Sequence, residues 1–106
     1  MRIIAGTKRG QRIAAPKGRD TRPTLDRVKE SLFGIIQFEI AGKTVLDLFA
    51  GSGNLGLEAL SRGAEHAVFN DAARESAAVV RANVEKLGFL RQSTIYALDY
   101  RAAIQA

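Results

Sequence analysis

The chain has 106 residues, 46% of them hydrophobic, which suits one small globular domain. It has no cysteine, one histidine and no apolar run long enough to cross a membrane, and no signal peptide precedes the fold. A disulfide framework, a Cys-ligated metal and a membrane span are therefore excluded, no metal site is expected, and a cytoplasmic protein is the default.

The formal net charge of +5 is unevenly placed. Residues 1–43 hold ten Lys/Arg against four Asp/Glu, a net +6, and residues 44–106 hold six against seven, a net −1. A basic front end on a near-neutral body points to a polyanionic partner. The alternative is a solvated basic surface.

Residues 1–18 read as a β-hairpin. Ile3 and Ile4 form a short apolar run, residues 6–10 (GTKRG) are turn chemistry, and residues 11–14 return. Lys8, Arg9 and Arg12 fall at or near the tip, and Pro16-Lys17-Gly18 ends the arm. Such an arm could lie against phosphates. It has no aromatic residue, so it is not expected to stack on bases.

Pro23 disfavours helix at Arg22, and Thr24 looks like the N-cap of a helix that ends between 37 and 42. Leu25, Val28, Leu32, Ile35, Ile36 and Phe33 predict its buried stripe. Arg27, Lys29 and Glu30 then face away or toward a ligand. Arg22 and Arg27 read either as solvated surface or as contacts to a cofactor carboxylate or an RNA phosphate.

Residues 44–58, TVLDLFAGSGNLGLE, organise the rest of the chain. Val45, Leu46, Leu48 and Phe49 predict a strand over 44–50 covered on both faces. Gly51-Ser52-Gly53 cannot continue it, and Gly51 and Gly53 leave room for a ligand against the main chain. Gly56 lets the following helix pack close to the strand. The Gly51-x-Gly53-x-x-Gly56 spacing outlines a nucleotide-binding turn.

Two acids sharpen that reading. Asp47 lies inside the apolar strand, where a carboxylate is costly unless something pairs with it. Asp71 follows a second apolar run, twenty residues after Gly51, where nucleotide folds place the acid that binds ribose hydroxyls. The plainer roles are capping of nearby amides by Asp47 and N-capping of the next helix by Asp71. A dinucleotide places pyrophosphate over the helix N-terminus and has no use for Asp47. S-adenosylmethionine carries an ammonium and a sulfonium, so an acid there favours it over NAD.

A helix is predicted at 54–62, stopped by Gly63, then a strand at 66–71 and a helix at 73–87, stopped by Gly88. Ala77, Val80, Val84 and Leu87 form the stripe of that helix. A third strand at 93–98 ends in Asp99, and a short helical tail over 100–106 follows. This β-α-β-α-β succession is the first half of a doubly wound α/β sheet. Right-handed crossovers set the strand order 3-2-1.

The residues TRPT (21–24), Arg27-Val28-Lys29-Glu30, Leu32-Phe33, DLFAGSG (47–53) and LGLEALSRGA (55–64) resemble the RsmD family. The opening RIIAG (2–6) and APKG (15–18) fit as well, so the resemblance covers essentially the whole chain. These are bacterial methyltransferases of a guanine exocyclic amino group in 16S ribosomal RNA. The resemblance implies a Rossmann-like class I methyltransferase fold, here its first half after a hairpin and a helix. The division it implies is an arm at 1–20 and a cofactor-binding half at 21–106.

It also implies roles. Asp47 and the Gly51 and Gly53 backbone would hold the methionine end of S-adenosylmethionine, Asp71 the ribose and Asp99 the adenine amino group, with Phe49 and Ser52 also at the cofactor. Arg22 and Thr24 would close over the cofactor. Lys8, Arg9, Arg12 and Lys17 would dock on 16S ribosomal RNA or the small-subunit particle. The family's catalytic Asp/Asn-Pro-Pro-Tyr/Phe motif has no match, since only Pro16 and Pro23 are present. No catalytic residue is assigned, and the chain is expected to be an inactive amino-terminal half. Its strand 44–50, lacking a neighbour on one side, is expected to self-associate. The competing readings are a methyltransferase of DNA or a small molecule on the same frame, and a non-catalytic cofactor- or RNA-binding fragment.

Overall fold

The computed structural model describes residues 1–15, 23–48 and 50–106, and among residues 23–26 the backbone alone. Helix α1 runs over Pro23–Ile36, strand β1 over Thr44–Asp47 and helix α2 over Asn54–Ser61. Strand β2 (His66–Asn70), helix α3 (Arg74–Leu87), strand β3 (Ser93–Tyr96) and helix α4 (Tyr100–Gln105) follow, with one 3-10 turn at Leu90–Gln92. The three strands form one parallel sheet in the order β1-β2-β3, which is the expected 3-2-1 order. Thr44 pairs with His66, and Ala67 with Ser93.

The core lies between the sheet and α2 and α3. Ala67, Phe69, Leu57, Val80, Val84 and Leu87 are fully or almost fully buried. Helix α3 turns in the expected Val80–Val84–Leu87 stripe, and Gly88 ends it in the left-handed region at φ 76°. Helix α2 lies so close to β2 that a Cβ at Gly56 would stand 2.3 Å from the Phe69 ring. Only a glycine there allows this approach.

Three expectations need correction. First, β1 is shorter than 44–50 and is not covered on both faces: Leu46 is 55% exposed. β1 is an edge of the sheet, and among the described residues no strand pairs with its outer side. Second, α1 begins at Pro23, so Thr24 is inside the helix rather than its N-cap. Proline suits a first helical position because its missing N–H has no intrahelical partner there.

Third, α1 presents a different face. Val28, Leu32 and Ile35 are exposed, whereas Phe33 is buried as expected and Lys29 is buried with it. Lys29 Nζ stands 3.0 Å from Glu58 Oε1, and Arg62 lies 4.8 Å over the Phe33 ring. A helix stripe chosen by apolar residues alone misses a lysine that is buried because its charge is matched.

The amino-terminal arm pairs as expected, through an antiparallel bridge between Arg2 and Arg12. Ile3 N–H donates to Gln11 O at 2.9 Å and Ile13 N–H to Met1 O at 2.9 Å. Ile3 and Ile13 enter the same core as α2 and α3. Arg12 lies on the returning strand, just past the turn, as expected.

Candidate cofactor-binding site

The site forms where β1 and β2 end. Leaving β1, the chain turns through Gly51 (φ 59°) and Gly53 (φ 84°), values that L side chains rarely adopt. Gly53 directly precedes α2, so the first amides of that helix point into the turn. The loop is bonded to β2 and closed on itself: Ala50 N–H donates to Asn70 O and Gly53 N–H to Ala50 O, each at 2.8 Å.

Two carboxylates bind amides of the Gly51-x-Gly53-x-x-Gly56 segment. Asp47, the last residue of β1, accepts from Gly56 N–H at 3.1 Å. Asp71 follows β2 and accepts from Gly51 N–H at 3.0 Å with Oδ2 and from Ala73 N–H at 2.9 Å with Oδ1. Asp47 thus caps a nearby amide, whereas Asp71 is not the N-cap of α3, which is Ala73; it accepts from the Ala73 amide instead. Each carboxylate oxygen keeps a lone pair for a second donor.

The two acids also interact. Burial raises Asp47 above the ordinary carboxylate value, the Gly56 amide opposes this, and the charge of Asp71 raises it further. A cation placed beside Asp47 would relieve both penalties.

The remaining expected residues are placed unequally. Ser52 is buried in the loop. Asp99 is exposed and caps α4 by accepting from Arg101 N–H at 3.0 Å. Phe49, Arg22 and Lys17 lie outside the described residues, as does the side chain of Thr24.

On the arm, Arg9 and Arg12 are exposed, but Lys8 folds back, its ammonium 5.9 Å from the centre of the Phe89 ring. Arg2, not singled out from the sequence, stands opposite Arg12. It lines a polar cavity of about 180 Å³ with Arg9, Gly10 and Glu30. Like charges directly opposite on paired strands are destabilising unless something screens them.

Sequence reasoning also missed Asn70, which is buried. Its Nδ2 donates to Leu48 O at 3.2 Å and Leu98 O at 3.0 Å, and its Oδ1 accepts from Leu98 N–H at 3.1 Å. It holds the ends of β1 and β3 to β2 and brings the loop carrying Asp99 alongside the site. The signal was an amide ending the apolar run before Asp71, the kind of buried polar group that must find partners.

Comparison with known proteins follows this geometry. The family model described as "Conserved hypothetical protein 95" matches residues 1–106. A Bacillus subtilis protein named as an rRNA methyltransferase, YlbH, is 44% identical over the whole chain, which covers 58% of that protein. Ribosomal RNA small subunit methyltransferase D of Haemophilus influenzae is 42% identical over 87 residues, 82% of this chain and 45% of its own.

Among solved structures, an Escherichia coli protein described as a methyltransferase, yhhF, superposes with a TM-score of 0.87 at 36% identity. The match covers 98% of this chain and 56% of that one. SMU.776, described as a methyltransferase complexed with SAH, matches with a TM-score of 0.61 at 26% identity over 74% of this chain and 20% of its own. The chain thus spans a little over half the length of YlbH and yhhF.

Proposed function

Since the chain belongs to the RsmD family, whose model it matches over residues 1–106, we propose that it is the cofactor-binding part of an S-adenosylmethionine-dependent methyltransferase. The proposed reaction puts a methyl group on the exocyclic amino group of a guanine in 16S ribosomal RNA. The observation that carries the reading is that Asp47 and Asp71 bind amides of one glycine segment, Asp71 that of Gly51 and Asp47 that of Gly56 in the helix it leads into.

The residues fit this cofactor. Asp47, held above its ordinary value, gains most from the methionine ammonium. Asp71 has acceptor capacity left for two ribose hydroxyls, and in this reading Asp99, on the loop that Asn70 holds, meets the base. The cofactor supplies a methyl group activated by its positive sulfur. Residues 1–106 hold and orient that molecule; the grip on the target amino group is assigned to none of them.

Arg2, Arg9 and Arg12 supply the cationic face for the ribosomal RNA or small-subunit particle, and a phosphate between Arg2 and Arg12 would turn their repulsion into shared attraction. A cytoplasmic location goes with that partner. The free edge of β1 gives a route to self-association.

The test is methyl transfer from labelled S-adenosylmethionine to unmodified small-subunit RNA, free and in particles. The enzyme is this chain joined to the second half of the Bacillus subtilis relative. Digestion should yield N2-methylguanosine. Methylation of another base or position, or of DNA in preference to RNA, would overturn the assignment.

A further inference from the structure

Two buried side chains, Lys29 and Asn83, tie the amino-terminal arm to the glycine loop and the helix that follows it. At one end, Arg2 O accepts from Lys29 Nζ at 2.7 Å. The same ammonium donates to Asn54 Oδ1 at 2.7 Å, at the first residue of α2. At the other end, the Asn83 side chain reads Ala14 as a strand would. Its Oδ1 accepts from Ala14 N–H at 2.8 Å and its Nδ2 donates to Ala14 O at 2.9 Å. The second N–H of that amide donates to Ser52 O at 2.8 Å.

Asn83 is 2% exposed, and both of its donors and its acceptor are engaged. The peptide joining Ser52 to Gly53 is therefore pinned twice, by Asn83 at its carbonyl and by Ala50 O at its amide. The peptide joining Ala50 to Gly51 is pinned by Asp71 and by Gly53. Between them, the Gly51 carbonyl and the Ser52 amide have no partner among the described residues. The loop is built so that its middle peptide is held in place by its neighbours and left open.

We propose that Asn83 is a positioning residue for this loop, acting through the Ser52 carbonyl, and that residues 1–15 are the rear wall against which the loop is set. The arm is then part of the cofactor site as well as a basic surface. Gly6 is consistent with a wall that cannot shift: a Cβ there would stand 1.9 Å from Ser61 O. This inference rests on the reading of the loop as a cofactor site, but its test separates the two.

Amide hydrogen exchange is measured on the ligand-free chain in wild type, Asn83→Leu and Val84→Ala. Val84 is fully buried beside Asn83 in sequence and has no hydrogen bond to the loop among the described residues, so its truncation controls for lost stability. At matched overall stability, the Gly53 amide should exchange about tenfold faster in Asn83→Leu than in Val84→Ala. Affinity for S-adenosylhomocysteine should fall about tenfold in Asn83→Leu alone. Equal exchange at Gly53 in the two variants overturns the proposal.

Should Asn83→Leu fail to fold, Asn83→Asp decides the matter. Measured at a pH where its carboxyl is ionised, it keeps an acceptor for Ala14 but has no donor for Ser52, so Gly53 exchange must still rise. If wild type does not bind S-adenosylhomocysteine, the cofactor reading falls, and the exchange contrast still judges the role of Asn83.

Discussion

Asp47 has a carboxylate whose protonation is set by burial first, with the Gly56 amide and Asp71 adjusting it. Its value in the ligand-free chain is raised, so it takes up a proton at a pH where an exposed aspartate would be ionised. A bound methionine ammonium would favour the ionised form and lower that value. Binding then releases protons between the two values. Affinity for S-adenosylhomocysteine should be constant above the raised value and weaken as pH falls through it. Calorimetry across that range in Asp47→Asn should show the pH dependence removed; an unchanged dependence would take the ammonium away from Asp47. The arginines make a second prediction at this scale. Replacing Arg2, Arg9 and Arg12 together should flatten the slope of log RNA affinity against log salt by about 2 to 3 units, if each neutralises one phosphate. Replacing Lys8 should change the slope least, because its charge packs over Phe89.

Helices α1 and α2 and the arm meet at Glu58, which is fully buried. Burial pushes this carboxyl up, but the Ile4 amide, Arg62 and Lys29 together outweigh it and hold the group below its ordinary value. The stability it adds is complete above the unfolded-state value and is lost as pH falls through the lowered folded one. Lys29→Met leaves the carboxylate with Arg62, Ile4 and Ala5 but without its buried cation. The cost should approach about 3–5 kcal/mol, the range for breaking a buried pair. Denaturant unfolding checks this, and a loss under about 1 kcal/mol would mean the pair behaves like a surface one.

The elements legible in the sequence were those whose signals are local. Gly63 and Gly88 mark the ends of α2 and α3, the 44–53 run gives strand and loop, and the alternation of elements gives the sheet order. What could not be read depended on partners distant in sequence. The inward face of α1 is chosen by Glu58, twenty-nine residues after Lys29, and the arm is fixed by Asn83, sixty-nine after Ala14. In the candidate cofactor site, Asp47, Asp71 and the glycines were visible by spacing, whereas Asn70 and Asn83 act on backbone groups that no spacing reveals.

Over the whole molecule, apolar surface flanks the free edge of β1 on both sides. A groove of about 180 Å³ lies between β1 and the α1–α2 pair, lined by Leu32, Phe33, Val45, Leu46 and Leu55. A second, of about 290 Å³, lies between Leu46, Val68 and Tyr96 on one side and Ala103 and Ile104 of α4 on the other. Val28, Ile35 and Phe38 extend the exposed apolar area along and just beyond α1. An unpaired strand edge with such flanks is a template for association. Light scattering should show the mass of the 106-residue chain rising with concentration, and Leu46→Lys should reduce the effect. A monomer at every concentration would show that the edge is protected.

The central claim, that Asp47, Asp71 and the glycine loop form an S-adenosylmethionine site, is tested most directly by calorimetric titration of the chain with S-adenosylhomocysteine, alongside Asp71→Ala. The account predicts binding of one molecule per chain, weakened by about 1–3 kcal/mol in Asp71→Ala as charge-assisted acceptors for the ribose are lost. Circular dichroism should show both proteins folded at the titration temperature. Binding of equal strength in Asp71→Ala, or no binding by a folded wild-type chain, would contradict it.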